Sequence, residues 1–102
     1  MPNKSNALLK SFVSELQNST GCVAIATQTE VPFVLQDKTH HLDALVRMSQ
    51  PIGDEFDIAV EILGRAYPRD ILHVMNQLHK WRATADEGQQ IVLAVVAEYL
   101  SP

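Results

Sequence analysis

The sequence predicts a mainly α-helical fold: one compact small domain of about five helices over residues 1–102, with room for one short β-hairpin at residues 22–35. Three observations carry that prediction. Residues 5–17 and 68–82 repeat apolar side chains every three or four positions, the period of a helix with one wet face. After the opening Asp54 and Glu55, residues 54–66 have little polar surface beyond a narrow strip of Asp57, Glu61 and Arg65, spaced four apart as on one side of a helix. The closing stretch, residues 89–100, is apolar almost all the way round a helical wheel, interrupted by Gln90 and Glu98. Such an element has to be enclosed by its neighbours or covered by a second chain.

Taken in order, Leu8, Leu9, Phe12, Val13 and Leu16 form the stripe of a first helix that Ser5 or Asn3 can cap. Gly21 ends it, because glycine accepts the left-handed backbone past a helix terminus. Residues 22–27 and 31–35 are two apolar runs around the polar Gln28, Thr29 and Glu30, which reads as a hairpin with Pro32 confined to an edge or a strand start. A short helix over residues 22–29 followed by an extended linker is the alternative. Thr39 can cap a helix to about Ser49, with Leu42, Leu45, Val46 and Met48 inside, Asp43 and Arg47 outside, and Pro51 as its stop. Asp54 then caps a helix to Ala66, and the Tyr67-Pro68 pair turns the chain into another that presents Ile71, Leu72, Val74, Met75, Leu78 and Trp81 inward. For the closing stretch the β-branched Ile91, Val92, Val95 and Val96 make a buried strand the competitor. Its length and the helix formers Leu93, Ala94, Ala97, Glu98 and Leu100 favour a helix.

Composition bounds the partners. With 46% hydrophobic and 20% charged residues the chain belongs with globular proteins. A net charge of −4 provides no general cationic field for nucleic acid, and Arg69, Lys80 and Arg82 are too scattered for a helix-turn-helix around Tyr67-Pro68, which Asp70 also opposes. The single Cys22 excludes an intrachain disulfide and fits a reducing compartment, so a cytoplasmic location is expected. The N-terminus leads into an amphipathic segment rather than the apolar run of a signal peptide. No membrane span is expected either, since the closing stretch falls short of the roughly 20 apolar residues a bilayer requires.

Among polar residues, His41 and His79 fall on the apolar sides of their helices, where a meeting between them could bind a metal or titrate near neutral pH. No HExxH and no paired CxxC accompany them, so neither a metal nor a cofactor is predicted. Cys22 lacks a glycine-rich elbow and an acidic orienting group, so a buried small hydrophobe is expected there and no enzyme is predicted. Cys22, His41 and His79 are therefore pocket candidates only. Asp54, Asp57 and Glu61, from the densest acidic cluster, together with Tyr67 and Trp81 near helix ends, are the candidate partner-binding residues. The expected function is a small acidic, non-enzymatic protein–protein interaction module: an inhibitor, immunity-type protein or adaptor. It would dock on a basic partner, or on itself as a homodimer that covers Ile58, Ile62, Val92, Val95 and Val96. The alternative is a small ligand- or metal-binding domain, or an enzyme, with an interhelical pocket near His41 and His79.

Overall fold

Strands, not helices, dominate the chain. In the structure, a computed structural model that describes residues 4–35, 37–84 and 89–100, the order is α1 (Lys4–Thr20), β1 (Val23–Leu35), β2 (Lys38–Ser49), β3 (Glu55–Ala66), α2 (Pro68–Arg82) and β4 (Ile91–Leu100). The strands form one mixed sheet in the order β1-β2-β3-β4. β1 pairs antiparallel with β2 and β2 with β3, and β4 returns parallel to β3 after α2 has crossed over. The mainly α, five-helix expectation is overturned: only α1 and α2 are helices among the described residues. The hairpin expected within residues 22–35 is instead one long strand, β1, whose partner is the segment read as the 39–49 helix.

The physical reason lies in how each strand is covered. One helix packs on each face of the sheet, so the inner strands bury both sets of alternate side chains and lose the polar half of the period-two pattern. On β3, Ile58 and Val60 pack in the cluster that holds Leu9, Phe12, Val13 and Leu16 of α1, whereas Ala59 and Leu63 join Val74, Met75, Leu78 and Trp81 of α2. Ile58, Ala59 and Val60 are all buried, which on a helical wheel looks like an element with almost no wet side. On β2, Ala44, Val46 and Met48 do alternate inward, but the intervening Leu45 is half-buried on the other face. That extra apolar residue imitates a helical stripe.

The two helices follow from their sequence as expected. Gly21 takes φ +76 and its N–H donates to the Gln17 carbonyl at 2.9 Å, closing α1. At the other corner Pro68 occupies the first turn of α2, and the Tyr67 N–H donates to the Asp70 carboxylate at 3.2 Å. Val74, Leu78 and Trp81 are buried, while Leu72, expected inside, is 64% exposed. No described helix is long and apolar enough to cross a membrane.

Candidate functional site

Three places bring together main-chain or side-chain groups that could meet a partner or ligand: the free edge of β4, a polar cluster at its start, and a small cavity under α2.

Among the described residues β4 is the last strand of the sheet. Its register with β3 is unbroken, Asp57 opposite Ile91 through Val60 opposite Ala94 to Leu63 opposite Ala97. The Asp57 N–H donates to the Gln90 carbonyl at 3.0 Å. In a parallel ladder this fixes the phase: the main-chain groups of Val92, Ala94, Val96 and Glu98 point toward β3. Those of Ile91, Leu93, Val95, Ala97 and Tyr99 point outward, as a row of donors and acceptors that the sheet does not use. Along the same strand, residues 91 and 93–98 are half-buried, and Val92 and Tyr99 are 49% and 55% exposed. Arg65 lies over the Tyr99 ring at 5.9 Å.

At the start of β4, the Asp57 carboxylate is buried and gathers two partners, one of which is shared with Glu55. Arg47 Nε reaches Asp57 Oδ1 at 3.1 Å, Gln89 Nε2 donates to Asp57 Oδ2 at 2.8 Å, and Arg47 also faces Glu55 at 3.5 Å. Burial pushes the Asp57 carboxyl up, but the hydrogen bonds from Arg47 and Gln89 and the guanidinium charge outweigh it and leave it below its ordinary value. A hollow of about 360 Å³ beside this cluster is lined by Ala26, Gln28, Leu45, Arg47, Asp57 and Gln89. Every polar atom of the Asp57 side chain is engaged within the chain, so the cluster pins β4 to the sheet.

The third place is a cavity of about 80 Å³ lined by Phe33, His40, His41, Leu42, Glu61, Gln77, Leu78 and Trp81. The His40 ring stacks on Phe33 with centroids 5.4 Å apart. Burial, then the hydrogen bond and charge of the neighbouring Asp43 carboxylate, push the Glu61 carboxyl from 4.5 to about 8. Asp43 meanwhile accepts the Ile62 N–H at 2.7 Å, taking the place of a strand carbonyl where the β2–β3 ladder stops at Ala44 and Val60. The strand's alternation breaks there, because Leu42 packs with α2 and Ala44 with α1.

These placements redistribute the residues singled out from sequence. Asp57 and Glu61, read as an outward helical strip with Asp54, lie on a strand, where residues two and four apart share a face. Asp57 is consequently buried and Glu61 half-buried in the cavity, while Asp54 stands exposed in the turn before β3. Trp81 is buried as a wall of that cavity, and Tyr67 is 38% exposed beneath the Arg69 guanidinium. Cys22 is buried in the α1-side core. His41 reaches the cavity, but His79 is exposed on α2 with Arg82 Nη2 at 3.1 Å from its Nδ1, so the two do not share a pocket. Among the described residues no group of three or more His, Cys, Asp or Glu side chains is arranged to hold a metal ion. Asp43, Arg47 and Gln89 are not among the sequence candidates, and their pairings become legible only once β2 and β3 are known to be adjacent. The chain matches no family model, no curated protein and no solved structure.

Proposed function

We propose that this chain is a non-enzymatic protein-interaction module whose docking element is the free edge of β4, which takes up a strand from a partner. The observation that supports this reading is the outward row of main-chain groups on an almost uncharged strand, with Glu98 its one ionisable carboxylate. A protein that leaves such an edge bare invites aggregation, and edges are ordinarily blunted by charge, proline or a bulge. Neither proline nor a bulge interrupts β4 and only one charge lies on it, so the edge is suited to being covered. The buried Cys22 accords with a reducing compartment such as the cytoplasm. Binding would then rest on main-chain pairing and apolar side chains rather than on the acidic residues Asp54, Asp57 and Glu61.

The test is co-purification from the native host with identification of what is bound, comparing the wild type with Val95→Pro. The Val95 N–H points away from β3, so proline there removes an outward donor without costing a bond inside the sheet. A partner lost with Val95→Pro, in a variant that melts as a folded protein, is the expected result. A partner retained undiminished contradicts the reading. A second reading, a ligand pocket, is favoured by one observation: Glu61 and His41 open on one cavity with Phe33 and Trp81 as aromatic walls. Its volume admits only a very small ligand. A thermal shift with small amines that disappears in Glu61→Gln would support this second reading, and its absence would remove it.

A further inference from the structure

We infer that the strand received by β4 is β4 of a second copy of this chain, running antiparallel about a two-fold axis through Val95. The inference rests on the strand-addition reading above and names its partner. An antiparallel pair within one sheet can be two-fold symmetric only if the axis stands normal to the sheet, so facing residues must share the same parity. The outward main-chain groups of β4 belong to the odd-numbered residues Ile91, Leu93, Val95, Ala97 and Tyr99. An axis through Val95 pairs all five with five: Val95 with the partner's Val95, Leu93 with the partner's Ala97, and Ile91 with the partner's Tyr99. Every outward donor then meets an outward acceptor, and moving the axis by one residue in either direction leaves at least one odd residue of each copy unpaired.

Side chains and charge favour the same occupant. On the face beneath α1, Ala94 meets the partner's Val96 and Val92 meets the partner's Glu98, so the one charged residue of the strand never faces itself. Val92 and Tyr99, the exposed large apolar side chains of β4, both gain a cross-strand neighbour. A strongly basic partner segment would find only Glu98 to answer it along residues 91–100. The uncharged strand of equal length and matching phase that the chain itself supplies is β4. The resulting assembly is a continuous eight-stranded sheet, from the four strands of each copy, with both α1 helices on one face and both α2 helices on the other.

The register makes a charge test specific. Light scattering of the full chain across the micromolar range should give a dimer. Val92→Glu should weaken its association about tenfold, because the introduced carboxylate of each copy then faces the partner's Glu98, twice across the axis. Val92→Lys places opposite charges at the same positions and should associate at least as tightly as the wild type. Val92 is half-exposed in the single chain, so both variants should melt as folded proteins. A wild type that stays monomeric up to the millimolar range overturns the inference. So does a dimer that both variants weaken alike, or one that neither affects. In the monomeric case, loss of a co-purified partner with Val95→Pro would still leave the strand-addition reading standing with a different occupant, whereas retention of that partner would remove both.

Discussion

The two edges of this sheet are built on opposite plans. β1 carries Val23, Ile25 and Val34 with about half or more of each side chain exposed, so it is no less apolar at its ends than β4. Its middle, however, is interrupted three ways. The register slips between Ala24 and Ala26, Glu30 stands in the left-handed region at φ +51, and Pro32 has no N–H to offer a further strand. Thr27, Gln28 and Thr29 are polar and exposed between them. β4 has an unbroken register, no proline and one charge. The comparison teaches that exposure of apolar side chains does not by itself mark an interface. A docking edge also needs main-chain groups in a regular row, and of these two edges only β4 has them.

Each edge strand is also tied at its start, and the two ties differ in strength. β1 is held by Gln17 Oε1, which accepts the Ala24 N–H at 2.8 Å, and by Thr20 Oγ1, which accepts the Cys22 N–H at 3.1 Å. β4 is held by a buried charge. Removing it in Asp57→Ala leaves Gln89 without its acceptor and Arg47 with only Glu55, and should cost about 2–3 kcal/mol in urea unfolding. A loss below about 0.5 kcal/mol, the range of an ordinary surface change, would mean that the start of β4 is held by something else. Because the Asp57 carboxyl is depressed in the folded chain, its contribution is present above the ordinary carboxylate range and is lost as pH falls through its lowered value.

A smaller effect concerns the place where β2 and β3 part. The Glu61 carboxyl is raised from 4.5 to about 8, so the folded chain keeps a proton that the unfolded chain releases. The associated stability is full below pH 4.5 and is lost as pH rises through about 8. Glu61→Gln imitates the protonated form, can still hydrogen-bond to Asp43, and should flatten this decline. Thermal melts across that window should show the wild type falling relative to the variant, and parallel curves would contradict the proton retained on Glu61. The smallest effect belongs to the protected edge: Gln28→Lys on β1 should change stability by less than about 0.5 kcal/mol and leave association unaltered. If it dissolves a dimer, the assignment of the two edges is reversed.

How much of this is legible in the sequence depends on whether an element has a wet side. The amphipathic α1 and α2 keep one polar face, and their periodicity, Gly21 and Pro68 locate them. The strands resist because helices cover both faces of the sheet, and Ile58, Ala59 and Val60 or Leu93, Ala94 and Val95 then satisfy any period. For the closing stretch the β-branched Ile91, Val92, Val95 and Val96 are the correct signal, masked by its length and its alanines. Of the candidate residues, Asp57 and Glu61 do sit in structured polar surroundings, though as a buried and a half-buried group rather than a solvated ridge. The meeting of Asp43 with Glu61, or Arg47 with Asp57, depends on strand pairing, which no local pattern encodes.

Alternate residues of β4 direct their main-chain groups outside their own sheet. Amide hydrogen exchange read residue by residue at high dilution tests this most directly. Rapid exchange is expected at Ile91, Leu93, Val95, Ala97 and Tyr99 and slow exchange at Val92, Ala94, Val96 and Glu98, with the fast set becoming protected as concentration rises. Uniform protection along residues 91–99 in the dilute single chain would mean that the edge is already covered, and would contradict it.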